Sequence, residues 1–216
     1  MRRVSQLVGS VVFGVAALTA VPIAAGGAVT TNCTEFLAPG IYGTVVVPAG
    51  AVCFSEGGVT IRNGLFIRQG ATFVIGDDQH IVNNGTIIGG VHATNAMNVQ
   101  IHSMTILDGV DIQGGSGPFG GPFDVTWNTI EDNYIRGPVT MNGYNGFWMG
   151  FIRNKVVGSV TLTNNHLIDD DGNEYVTNVI SGNLSCSGNS PAPQIGDSEG
   201  SHNIVSGSKL GQCAGL

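Results

Sequence analysis

Residues Asn133 to Asn145 read NYIRGPVTMNGYN, and Asn154 to Asn165, starting 21 residues later (154 − 133), read NKVVGSVTLTNN. The shared outline, Asn-x-apolar-x-Gly-x-Val-Thr-apolar, returns as NVISGNLSCSGN from Asn178 and, weakened, as NIVSG from Asn203. Upstream, MTILDGVDIQGG and NGTIIGG follow the same outline. The unit glycines Gly89, Gly109, Gly137, Gly158, Gly182 and Gly207 lie 20, 28, 21, 24 and 25 residues apart. A period of about two dozen residues marks a solenoid, in which each unit buries its apolar side only by stacking on the next.

The content of each unit decides which solenoid. Val139 with Met141, and Val160 with Leu162, alternate with Thr, the period-two pattern of a short strand built from good strand formers. Gly or Asn bounds each run, and both accept the positive φ that turns a chain sharply. The 34 Gly among 216 residues argue against helices, since each interior Gly costs a helix roughly 1 kcal/mol. No unit holds a periodic apolar segment long enough for a helix, and Leu is too sparse for leucine-rich repeats. The reading is therefore an all-β, single-stranded, right-handed parallel β-helix with about seven coils stacked at ~4.8 Å. Asn133, Asn154 and Asn178 each stand four residues before the unit Gly, a placement that would stack their amides into a ladder.

Other features bound location and partners. Arg2 and Arg3 precede the uncharged run LVGSVVFGVAALTAVPIAA, and the small residues Ala24, Ala25 and Ala28 follow, so residues 1–28 read as a secretory signal and 29–216 as one β-helix domain. No membrane span is expected once the signal is removed. Four Cys in an exported chain favour disulfides. Of three allowed connectivities the local one, Cys33 with Cys53 and Cys186 with Cys213, closes loops of 20 and 27 residues at the two ends of the solenoid, where caps are needed. Net charge is −7 with eight Lys and Arg, so no basic stripe is available for a phosphate backbone and nucleic acid is not an expected partner.

The tail GNLSCSGNSPAPQIGDSEGSHNIVSGSKLGQC resembles the C-terminal part of secreted actinobacterial proteins of the right-handed parallel β-helix type, a family mostly uncharacterised in function. The resemblance is close over the last two repeats and covers the earlier ones by pattern. It implies the fold and export, and it supplies no catalytic residue. Many β-helix proteins are polysaccharide lyases or glycoside hydrolases, so their constellations are the ones to seek. A pectin-hydrolase-like set is not assembled: Asn128-Thr129 is followed by Ile130, Asp77-Asp78 lies too early, no His is flanked by two Gly, and Arg153-Asn154-Lys155 is a fragment. A lyase would draw on Asp108, Asp111, Asp132 and Arg136 in neighbouring repeats, residues that solvated turns explain equally well.

Aromatic residues gather in the middle of the chain. Trp148 in YNGFWMG, with Trp127 and Tyr144, offers flat faces for sugar stacking, and filling the core is the competing role. In DDDGNE, Asp169, Asp171 and Asn173 have the alternate spacing of calcium ligands, although Glu174 stands where an EF-hand loop needs Gly. No cofactor is expected beyond calcium at that site. His80, His92, His102, His166 and His202 are scattered, with no nucleophile at a recognisable spacing. The function expected is a secreted, non-catalytic β-helix scaffold or surface module that binds extracellular polysaccharide; the alternative is a polysaccharide lyase or glycoside hydrolase acting on such a polymer.

Overall fold

The computed structural model describes residues 29–76, 83–117, 127–196 and 200–216. Strand β1 (Thr30–Asn32) precedes the first coil, which consists of β2 (Gly40–Tyr42), β3 (Thr44–Val47) and β4 (Val52–Ser55). The second coil is β5 (Val59–Ile61), β6 (Leu65–Ile67) and β7 (Thr72–Ile75). The third is β8 (Gly85–Ile87), β9 (Val91–Thr94) and β10 (Asn98–His102). The fourth is β11 (Met104–Leu107), β12 (Val110–Gln113) and β13 (Trp127–Glu131). The fifth is β14 (Tyr134–Arg136), β15 (Val139–Asn142) and β16 (Trp148–Ile152). The sixth is β17 (Lys155–Val157), β18 (Val160–Thr163) and β19 (Asn173–Val176). The seventh has β20 (Val179–Ile180) and β21 (Leu184–Ser187), and Gln194 bridges to Glu174 in place of a third strand. Strands β22 (Ile204–Val205) and β23 (Lys209–Gly211) close the stack.

From β2 to β21 every third strand joins the same sheet, and every pairing is parallel, so the chain is a parallel β-helix with three faces. One sheet has nine strands (β1, β3, β6, β9, β12, β15, β18, β21, β23), one has six (β4, β7, β10, β13, β16, β19) and one has eight (β2, β5, β8, β11, β14, β17, β20, β22). Equivalent positions stack in register. Val110 pairs with Val91 and Val139, and Val139 with Val160, all buried. Ile61, Ile87, Ile106 and Ile135 form the matching inner column of the eight-stranded sheet. Burying such a side chain fully contributes ~1.5–3 kcal/mol, and the repeat multiplies this along the axis.

The corners explain the recurring Asn and Gly. The amides of Asn133, Asn154, Asn178 and Asn203 form the ladder expected from their spacing, extended by one member. The Nδ2 of each of the first three donates to the Oδ1 of the next, at 3.1, 3.1 and 2.8 Å. The same oxygens accept the backbone NH of the preceding rung. The residue before each of the first three rungs carries the strain: Asp132, Arg153 and Thr177 have φ of 57°, 52° and 58°, and Ser103, one coil earlier, has 55°. Left-handed backbone is costly for such side chains, by roughly 1–2 kcal/mol each, and the ladder holds it in place. A second, shorter ladder runs through Asn165, Asn189 and Gln212 at the corner after the nine-stranded sheet. At the third corner the unit glycines are needed for close approach: a Cβ on Gly182 would lie 2.6 Å from the Gly158 carbonyl oxygen.

Both disulfides pair as expected, Cys33 with Cys53 and Cys186 with Cys213. Each fastens an end of the core: Cys33 lies beside buried Leu37, and Cys213 beside buried Leu216. Among the described residues no helix is long and apolar enough to cross a membrane.

Candidate functional site

The six-stranded sheet differs from the other two. Its inner positions Val99, Ile101, Ile130, Phe151 and Tyr175 belong to the core. Alternation therefore turns Asn98, Gln100 and His102 of β10, Trp127, Thr129 and Glu131 of β13, and Trp148, Gly150 and Ile152 of β16 outward. On most outer faces such residues are wet, yet here Gln100, His102, Thr129 and Glu131 are buried.

Trp127 and Trp148 stand directly opposite one another on adjacent coils. Trp127 is 40% exposed and Trp148 half-buried. The Trp148 ring lies along its own strand over Gly150, where a Cβ would meet ring atoms Cη2 and Cζ3. Gly150 is thus what lets the indole lie down. Asn98 Nδ2 and Gln100 Nε2 donate to the Trp127 carbonyl at 2.8 and 3.3 Å, fixing the strand that carries the first indole.

At the other end of the same strands the charges converge. Arg153 donates through Nε to Asp132 Oδ1 (2.9 Å), through Nη2 to Asp132 Oδ2 (3.0 Å), and through Nη2 to Glu131 Oε1. The hydrogen bond to Asp132, then the negative charges of Glu131 and Asp132, push the guanidinium pKa further up despite partial burial. His102 Nδ1 lies 3.6 Å from Glu131 Oε2, and the Thr129 hydroxyl lies 3.4 Å from the same oxygen. Two carboxylates, one guanidinium and one imidazole thus share a corner, and the Arg153 side chain, 35% exposed, is the member solvent meets most.

The lyase candidates do not gather. Asp108 is exposed at the corner between the eight- and nine-stranded sheets, with φ of 87°. Asp111 is exposed on the nine-stranded sheet and accepts from Gln113 Nε2 at 2.6 Å. Arg136 is exposed on the eight-stranded sheet. Asp132 alone enters the charged corner. Tyr144 corrects another expectation: it is fully buried, and burial pushes its phenol up to about 12, so it offers no face to a sugar. Asn173 is likewise turned inward. Its amide donates to the carbonyls of Asn165 (3.3 Å) and Pro191 (2.8 Å) and accepts from the Tyr175 hydroxyl (2.6 Å), so it is committed inside the core while Asp171 is exposed at the surface. Asp169 Oδ1 instead accepts the Asp171 amide at 3.2 Å, a turn bond. Among the described residues no group of three or more His, Cys, Asp or Glu is placed to hold a metal. Residues 1–28, read above as a secretory signal, and Asp77, Asp78 and His80 lie outside the described residues.

Sequence reasoning missed Glu131, His102 and Arg153 as a group. The available signal was the polar period in NVQIH and WNTIE, where every second residue is polar or aromatic on a face the fold then buries. Comparison of the chain with protein-family models, with curated proteins and with solved structures finds no match.

Proposed function

We propose that this protein is an exported, non-catalytic β-helix module that binds extracellular glycan on the outer face of its six-stranded sheet. The observation that carries the proposal is the in-register pair Trp127 and Trp148. Two indoles on adjacent coils, one lying flat over a glycine, present the apolar, planar surface on which sugar rings stack, and a rigid sheet holds them with little ordering cost on binding. The signal-like residues 1–28 and two disulfides, cross-links typical of oxidising compartments, support export.

A second reading, a lyase or hydrolase, is favoured by one observation: Glu131 is on the same strand face as Trp127, four residues along, with His102 and Arg153 beside it. A polymer laid along β13 from the indole would reach that corner. Against catalysis, Arg153 is already committed to both carboxylates.

The test is affinity electrophoresis of the oxidised protein and its Trp148→Ala variant in gels containing neutral plant and microbial polysaccharides, with reducing ends and unsaturated products followed in parallel. Retardation by at least one polymer, lost in the variant at unchanged melting temperature, is the expected outcome. Equal retardation of both proteins removes the platform from the proposal, and released product that vanishes in Glu131→Gln replaces it with the enzymatic reading.

A further inference from the structure

The eight-stranded sheet has an outer face of a different character. Its outward column runs in register through Thr60, Thr86, Thr105, Tyr134, Lys155 and Val179. Two residues further along the strands lie Arg136 and Val157, paired with Leu107 and Arg136 respectively, and Arg62 follows β5 on the same side. None of the eight strands contains an Asp or Glu. The whole chain has 15 acids and only six Lys or Arg after residue 28, and three of those six, Arg62, Arg136 and Lys155, are on this one face.

Among the described residues no carboxylate pairs with any of the three. Among the described residues the nearest acids stand at the two bordering corners. Glu56 is exposed before β5, Asp132 is taken up by Arg153, and Asp108 meets Arg136 only through the backbone, its amide donating to the Arg136 carbonyl at 2.8 Å. Arg136 and Lys155 are diagonal neighbours on adjacent strands, so their side chains spring from points ~8 Å apart, from one interstrand spacing and two residue rises. Lys155 Nζ lies 5.9 Å from the centre of the Tyr134 ring, which is itself 37% exposed. Val157 and Val179, both 44% exposed, continue the apolar part of the face.

We infer that this face binds an acidic polysaccharide, one bearing carboxylates on successive sugar units. Charge complementarity selects the class: cations on strands that carry no acid, on a rigid, flat sheet, suit a polymer that repeats its negative charge, and the phenol ring and valines suit the C–H faces between the charges. An anionic membrane is a poorer match, since the exposed apolar residues Ile41, Val157, Val179 and Ile204 are spread from one end of the sheet to the other rather than gathered into one patch, and each cation near such a surface contributes only ~1 kcal/mol. The inference does not rest on the indole platform, which is read with neutral glycans.

The experiment is affinity electrophoresis of the full, disulfide-bonded protein with polygalacturonate, with alginate, and with the methyl ester of polygalacturonate, which has the same backbone without charge. The expected result is retardation by the acidic polymers and not by the ester, abolished by salt at ~0.5 M, where charges more than a few ångströms apart are screened. Arg136→Gln with Lys155→Gln should raise the dissociation constant about tenfold, the scale of two exposed charge contacts, at unchanged melting temperature. Arg68→Gln, a cation of the nine-stranded side, should leave it unchanged. Equal binding of the ester, unaltered binding by the double variant, or no binding of either acidic polymer overturns the inference. Sedimentation with phosphatidylglycerol vesicles without binding of the polymers reassigns the face to a membrane.

Discussion

The side chain of Asn154 serves the coil before its own: its Oδ1 accepts the Asn133 amide at 3.0 Å and its Nδ2 donates to the Ile130 carbonyl at 2.8 Å, both buried. Removing one partner from a buried pair costs more than the bond itself is worth, because the other partner is left dry and unsatisfied. Asn154→Ala should therefore lower unfolding free energy by roughly 2–4 kcal/mol, seen as a lower urea midpoint at unchanged slope. Asn145→Ala, exposed and outside the ladder, is the control and should shift it by no more than ~0.5 kcal/mol. An equal midpoint for both variants would reduce Asn154 to a tolerated turn residue. The ladder was legible because Asn stands at a fixed distance from Gly. The left-handed positions before it were not, because Asp132, Arg153 and Thr177 are residues that choose this backbone only under the constraint of their neighbours.

Strands of the nine-stranded sheet announce themselves, VTMN, VTLT and LSCS alternating apolar inside with polar outside. Strands β10 and β13 of the six-stranded sheet are harder to read, because Gln100, His102, Thr129 and Glu131 face outward and are nonetheless buried, a state that only packing creates. The unit glycines belong to this scale too. Gly158 has ordinary φ, so its need for glycine comes from the neighbouring coil: a Cβ would collide with the Gly137 carbonyl. Gly158→Ala should separate two coils locally and cost ~1–3 kcal/mol, as overpacking does. Gly215→Ala, with open space around it, should be neutral in the same thermal melt. A Gly158→Ala protein as stable as the parent would show that the coils can part freely.

A solenoid is held by nearest-neighbour contacts, so its ends are its weak points. The Cys186–Cys213 bond closes 27 residues, and in the chain-entropy model such a loop is worth ~3 kcal/mol. Cys186→Ser with Cys213→Ser should speed amide exchange in β22 and β23 while leaving β12 and β15 protected. Uniform acceleration along the whole rod would mean that the coils unfold as one unit, and no change would mean that the bond fastens nothing. The two disulfide pairings were legible because each joins cysteines about one coil apart, where stacking brings them together.

The sequence by itself determined the repeat, the parallel β-helix, the Asn ladder and the disulfides, because all of them are contacts between equivalent positions of successive coils and so leave a period in the chain. Only the tertiary structure decided which of three faces each side chain meets. Coils of unequal length shift that assignment from turn to turn. They set Trp127 beside Trp148, bring His102, Glu131 and Arg153 to one corner, and scatter Asp108, Asp111 and Arg136, whose nearness in sequence promised a site. A residue's direction around the axis depends on the summed lengths of the corners before it, and no local pattern records that sum.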